Sequence, residues 1–272
     1  MILDSWRQII DEMGMTDASQ SSFPLVGDAL SNGLPPAFAN PEEFDETKIR
    51  LILVGEALFA ERSIESVSLR EIAAAAGNRN NNAVQYHFGD KDGLVQAIFA
   101  YRVWQMDEPR QKGLNALEAK GGKAGFWPLL ELLCLPLIDL KDDKGRHSYA
   151  GFITKYMLKS RPVGVPHAMD SLTSSTAALR RLNEAIEAAL AHLPRDLVTS
   201  RIAAAYLMFV TMLVQSDNDA GSELPDELLN ARIDDCLTMA AAALAAPFPD
   251  RSAEKLTAVD EVQFGKRTST GR

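Results

Sequence analysis

The sequence predicts an all-α protein with a compact N-terminal helical unit and a larger helical region behind it. Three observations carry that prediction. Apolar residues recur at i, i+3, i+4 and i+7 in successive blocks between residues 47 and 246. The blocks are separated by short stretches rich in Gly, Pro, Asn and Asp. No stretch alternates apolar and polar residues as a half-buried strand would. With 272 residues, 46% apolar and 24% charged, the chain has material for two domains or one large one. Its 28 Lys+Arg against 37 Asp+Glu give a net charge of −9, which excludes a general polyanion binder and leaves any nucleic-acid contact to a local patch. Cys134 and Cys236 stand far apart, outside any CxxC or Cys/His cluster. That argues against a disulfide framework or structural zinc and for a reducing, cytoplasmic compartment. Met1 to Met15 carries acidic residues where a secretory signal needs a basic start and an apolar run. The longest apolar stretch, Ile202 to Val214, falls short of the ~20 residues a bilayer crossing needs, so no membrane partner is expected.

Residues 1–44 read as a flexible arm, because Ser19 to Pro41 is rich in Ser, Pro, Asn and Gly. Four closely spaced helices follow, at 47–62, 68–76, 82–88 and 91–106. The first carries Leu51, Ile52, Val54, Gly55, Leu58 and Phe59 on one wide stripe. Asp45 is placed to cap it, with Phe44 and Ile49 at staple spacing, and Gly55 admits a close neighbour. In the second, Ser68 and Glu71 form an S-x-x-E capping box, and Gly77 supplies the left-handed residue that ends it. The turn Asn78-Arg79-Asn80-Asn81-Asn82 suits asparagine, which tolerates left-handed backbone and can cap the next helix. A capped helix, a glycine turn and a short polar helix describe a helix-turn-helix, whose second helix can enter a DNA major groove.

These residues resemble the TetR-like transcriptional regulators over about residues 47–94. The resemblance rests on Leu58-Phe59-Ala60-Glu61-Arg62, Val67-Ser68-Leu69-Arg70-Glu71-Ile72-Ala73, Ala76-Gly77, Tyr86-His87-Phe88 and Lys91-Asp92-Gly93-Leu94. It implies a homodimer with a helix-turn-helix on each subunit, a helical ligand domain, and repression relieved by a small molecule. Carried over by position, the recognition helix presents Ala83, Gln85, Tyr86 and His87, with Lys91 opening the fourth helix. Gln85 can pair with adenine, Ala83 can touch a thymine methyl, and Tyr86, His87 and Lys91 can meet phosphate. Arg70 and Arg79 are further backbone candidates, and Asn80, Asn81 and Asn82 can reach base edges. The turn is one residue longer than the usual pattern and rich in Asn. Residues 45–94 also hold six basic against eight acidic side chains, an awkward balance for DNA binding unless the charges segregate. Tyr86, Phe88 and His87 also admit a plain structural role, and the asparagines admit that of a solvated loop.

Beyond Pro109 helices are expected at 113–120, 126–140, 147–159, 168–193, 196–216 and 226–246, with a disordered tail from 248. Ile202, Tyr206, Phe209 and Leu213, with Ile233, Leu237 and Leu244, form apolar faces suited to a four-helix dimer interface or to packing within one protomer. Phe126, Trp127, Leu130, Leu133, Phe152, Tyr156, Met157, Met169 and Leu172 are candidates to line an apolar effector pocket or simply to be core. His147, His167 and His192 lack metal-ligand spacing, and no nucleophile, carboxylate pair or phosphate-binding loop is recognisable, so neither metal, cofactor nor catalysis is expected. The expected organisation is an arm (1–44), a helix-turn-helix DNA-binding domain (45–94), an effector-binding and dimerisation domain (95–247) and a tail (248–272). The expected partners are double-stranded operator DNA, a second copy of the chain and a small apolar effector. The alternatives are a helical interaction module without DNA affinity and a helical enzyme with a dispersed site.

Overall fold

The structure, a computed structural model, describes residues 44–119, 125–160, 176–219 and 225–247. These form ten α-helices and, among the described residues, no strand. α1 (Glu46–Glu61), α2 (Leu69–Ala75), α3 (Ala83–Phe88) and α4 (Lys91–Gln105) follow one another over short turns. α5 (Asp107–Ala119), α6 (Phe126–Cys134), α7 (Ser148–Lys155), α8 (Ala177–Ala189), α9 (Arg195–Asp219) and α10 (Asp226–Ala245) build the rest. The expected arm up to residue 43, the tail from 248, Met169, Leu172 and the expected helical start at 168–175 lie outside the described residues.

The first helices follow their local signals. Asp45 caps α1 by accepting the Lys48 N–H at 2.8 Å, and Ser68 caps α2 by accepting the Glu71 N–H at 3.2 Å. The Glu71 carboxylate does not close the expected box; it is held by Arg62 at the end of α1. α2 stops in a Schellman arrangement: the Asn78 N–H reaches the Ala73 carbonyl, the Gly77 N–H reaches that of Ala74, and Gly77 sits at φ +69°. Gly55 lets α4 approach α1, since a Cβ there would meet Leu94 Cδ2 at 3.0 Å.

The later helices show where local signals were outvoted. α4 runs unbroken across the expected boundary at residue 94, and α5 begins at Asp107 rather than 113. Pro109 does not break it, because it occupies the first turn, where a missing N–H leaves no carbonyl unpaired. The expected helix 126–140 ends as an α-helix at Cys134 and tightens into a 3₁₀ turn, Leu135–Leu137. Pro136 has no N–H for the Leu132 carbonyl four residues back. The fully buried Arg110 fills that gap, its Nε donating to the Leu132 carbonyl at 3.3 Å and Nη2 to that of Leu133 at 3.2 Å. α7 stops at Lys155 and continues as a π turn, Tyr156–Ser160. α8 ends at Ala189, short of the expected 193.

Two candidate sets become core. Phe152 and Tyr156 are not walls of an open pocket: both are buried, with Phe152 5.0 Å from Phe99 and 6.2 Å from Phe59 and Tyr156 5.0 Å from Phe99, in a cluster joining α1, α4 and α7. Leu130 and Leu133 are buried with them; Phe126, Trp127 and Met157 are half-buried, and the Trp127 indole donates to Glu131 at 2.8 Å. Likewise Tyr206, Phe209, Leu213, Ile233, Leu237 and Leu244 are buried inside the protomer rather than presented to a second copy. They form the inner seam of the α9–α10 hairpin, and Ile202 is half-buried at its margin. Both cysteines are free and buried, and burial pushes their thiols upward, Cys236 to about 11.

One buried ion pair sets how the first helices sit on the others. Glu56 of α1 has no exposed surface; its carboxylate accepts Arg102 Nε at 2.6 Å, Arg102 Nη2 at 2.7 Å and the Ser148 hydroxyl at 2.6 Å. Burial acts to lower the Arg102 pKa, but the bonds and charge of Glu56 outweigh it and hold it above its ordinary value. Removing one partner of such a pair leaves an uncompensated buried charge. Glu56→Ala is therefore expected to lower unfolding free energy by about 3–5 kcal/mol, and the double change Glu56→Leu/Arg102→Met by clearly less, as read by urea denaturation of each variant.

Candidate nucleic-acid interface

α2, the turn after it and α3 present a polar edge carried on an apolar base. Ile72, Ala73, Val84 and Phe88 are buried, which anchors α2 and α3 to α1 and α4. Ala83 belongs to that base as well: it is 3% exposed, so it cannot meet a thymine methyl, because its side chain faces the interior at the first turn of α3. Gln85 and Tyr86 point the other way. Tyr86 is 82% exposed, a degree of exposure that an aromatic side chain seldom shows without a partner to meet. The half-buried His87 ring lies edge-on to it, with centroids 5.1 Å apart. Arg70, Arg79, Asn80, Asn81 and Asn82 are all exposed along the same stretch.

The Asn-rich turn is built by its own side chains. Asn78 Oδ1 accepts the Asn80 N–H and Asn80 Oδ1 accepts the Asn82 N–H, each at 2.9 Å, giving two overlapping Asx turns. Asn82 occupies the N-cap position of α3 without a side-chain cap bond, contrary to the expected capping role. The oxygens of Asn78 and Asn80 are thus engaged in shaping the turn, while Asn81 and Asn82 stand at the head of α3, the end that faces base edges in groove-bound helices.

Lys91 has a structural task in addition to any contact with phosphate. Its ammonium donates to the carbonyls of Ile64 at 2.7 Å and Glu65 at 3.1 Å, tying α4 to the α1–α2 loop. Asp90 caps the same helix by accepting the Gly93 N–H at 2.8 Å.

The acidic surplus of residues 45–94 is taken up internally. Glu56 faces Arg102, Glu71 faces Arg62, and Glu61 meets Arg146 at 2.8 Å. The hydrogen bond from Arg146 holds the Glu61 carboxyl below its ordinary value, against the effect of burial. Two of those cations lie 46 and 85 residues along the chain from their partners, which is why counting charge within the segment misjudged the surface. Arg70 and Arg79 make no ion pair among the described residues and are exposed.

Residues 51–98 match the family described as bacterial regulatory proteins, tetR family. Over that stretch the chain is similar to the tetR-family helix-turn-helix DNA-binding domain. Comparison with curated proteins gives no match. The match spans α1 from Leu51 through the first half of α4, so the matched stretch includes the Gly55–Leu94 approach, the Schellman turn and the Lys91 tie. Glu56 also lies inside it, whereas Arg102 and Ser148 lie beyond it. Because the Lys91 bonds are charge-assisted, Lys91→Ala is expected to cost about 1.5–3 kcal/mol of stability, read as a lowered urea midpoint at unchanged m-value.

Proposed function

We propose that this tetR-family DNA-binding transcriptional regulator is a homodimeric repressor that occupies an inverted-repeat operator and is released when a small molecule binds among its C-terminal helices. The observation that carries the DNA-binding half is the exposed polar edge from Arg79 to Tyr86 on a rigid apolar base, with neighbouring acids neutralised elsewhere. In this reading Gln85, Asn81 and Asn82 read base edges, and Arg70, Arg79, Tyr86 and His87 hold phosphates. The cations that Arg102 and Arg146 bring to Glu56 and Glu61 from outside the segment weaken the charge argument that favoured an interaction module without DNA affinity.

The dimer half draws on the outer face of α9 and α10. Among the described residues α9 alone is long and apolar enough, over Leu197–Asp219, to cross a membrane by length and composition, and 33% of its most apolar 18 residues are buried in the protomer. The inner residues fill the core, while Ala204, Leu207, Met208, Thr211 and Met212, with Met239 of α10, line an open groove of about 660 Å³. A second copy laid on this face would form a four-helix interface and set two α3 helices about one DNA turn or a multiple apart.

Selection of bound sequences from genomic fragments should return an inverted repeat, and a single symmetric site bound by monomer would contradict the reading. On the selected operator, Gln85→Ala is expected to relax preference at one base position by ~1–3 kcal/mol, whereas Arg79→Ala weakens all sequences alike and lowers the salt slope by about 1. Met208→Glu is expected to convert dimer to monomer in sedimentation analysis and to weaken operator binding, without loss of helical signal.

A further inference from the structure

Among the described residues two arginines are buried, and only one of them meets a carboxylate. Arg102 is forked by Glu56. Arg110 of α5 is 1% exposed and makes no ion pair among the described residues. Its Nε and Nη2 are spent on the carbonyls of Leu132 and Leu133, with Met106 Sδ 3.5 Å from Nη2. Its Nη1 is buried without a hydrogen-bond partner. Asp107, the carboxylate whose charge bears on it, makes no ion pair with it and accepts the Ala178 N–H at 3.1 Å instead. Burial therefore holds the Arg110 pKa below its ordinary value, the opposite of the outcome that Glu56 secures for Arg102. A buried cation with an idle nitrogen lowers stability, and it calls for an acceptor that the chain itself does not supply.

The groups around that nitrogen are further donors and apolar surface. Tyr149 of α7 and Tyr206 of α9 are buried within electrostatic reach of Arg110. Burial pushes both phenols upward, so each keeps its proton, and neither hydroxyl makes a hydrogen bond among the described residues. Three helices thus bring N–H and O–H groups to one region where no acceptor answers them. A carboxylate suits that region, because it carries the one missing charge and its two oxygens accept several such bonds. The remaining neighbours are apolar: Met106, Cys134 and the rings of Phe99 and Phe152, 6.3 and 6.2 Å from that of Tyr149. An aromatic ring on the ligand packs among such rings edge-on or offset, as they already pack on one another.

We propose that the region between α5, α7 and α9 binds a small aromatic monocarboxylate, its carboxylate held by Arg110 Nη1 and the hydroxyls of Tyr149 and Tyr206. Nη1 has no exposed surface, so the ligand enters only as the helices around it part. Tyr149 directly follows Ser148, which donates to Glu56 of α1 at 2.6 Å. Movement of the first turn of α7 therefore bears on α1, and so on the placement of α3. This rests on the reading of an effector-controlled DNA-binding protein and names the effector class and the residues that hold it.

Calorimetric titration of the full chain with benzoate, against benzamide as its uncharged counterpart, tests the site. Saturable binding of one benzoate per chain is expected, with benzamide about tenfold weaker or more. Tyr149→Phe and Tyr206→Phe keep the rings and remove only the hydroxyls, and each should weaken benzoate by about tenfold. Arg110→Gln keeps a donor for the stranded carbonyls and should abolish saturable binding. Absence of saturable benzoate binding, equal binding of benzamide, or unchanged affinity in any of the three variants that folds overturns the proposal. The selected operator, titrated with and without benzoate, separates the two readings: a calorimetric failure with intact DNA binding removes the ligand assignment alone. Benzoate binding without any DNA binding removes the regulator reading and leaves the site, and benzoate binding that leaves operator affinity unaltered overturns the link to α1.

Discussion

A carboxylate with no exposed surface joins three helices in this protein, and the orientation of the DNA-binding unit depends on it. Glu56 projects from the middle of α1, Arg102 reaches it from α4 with two nitrogens, and Ser148 completes it from the first turn of α7. The start of a helix favours an anion, so α7 adds its own field to the pair. Taking both charges out of water is expensive, and the arrangement is tolerable because the carboxylate and guanidinium meet in a two-point fork with a third bond satisfied. Its value lies in definition more than in net stability. An apolar seam permits α1 to slide against α4 and α7, whereas the fork from Arg102 and the bond from Ser148 accept one register.

The same seam decides the surface charge. Three acids of the first helices are held by cations on other elements: Glu56 by Arg102, Glu61 by Arg146, Glu71 by Arg62. What remains exposed along the turn and α3 is mainly neutral amide and phenol with Arg79 beside them. Such a surface is suited to hydrogen bonding more than to bulk attraction of a polyanion, in keeping with a chain whose net charge is −9.

Apolar residues in the C-terminal helices are more numerous than one protomer can bury. The inner face of α9–α10, with Tyr206, Phe209 and Leu237, is sealed, and the aromatic cluster around Phe152 is packed ring on ring. Part of the unburied remainder, Leu207, Met208, Met212 and the exposed Met239, lies along one outer groove beside polar Gln215, Arg232 and Asp235. Polar groups in turn collect at the junction of α1, α7 and α9. Interior, outer apolar face and polar junction are thus three separate places with three different chemistries.

Short-range signals were readable because their physics is short-range. Ser68 finds an N–H three residues on, Gly77 takes the left-handed backbone that ends α2, and the apolar spacing of α1 marks a buried stripe whatever lies against it. The helical class, the helix-turn-helix and the exposure of Gln85 all follow from such rules. Pro109 and Pro136 show the limit, since a proline's effect depends on its place in the turn and on whether Arg110 can answer the carbonyl it strands. Ala83, Phe152 and Phe209 show another, because an apolar residue at helical spacing suits a core, a pocket or a partner equally well. The local sequence by itself determined where the first four helices start and stop and which short helix carries the polar edge, since those depend on bonds within a few residues. Which acids were neutralised, which apolar face was left open and where the polar junction lies were decided by tertiary structure, because each depends on side chains that meet only when distant helices pack.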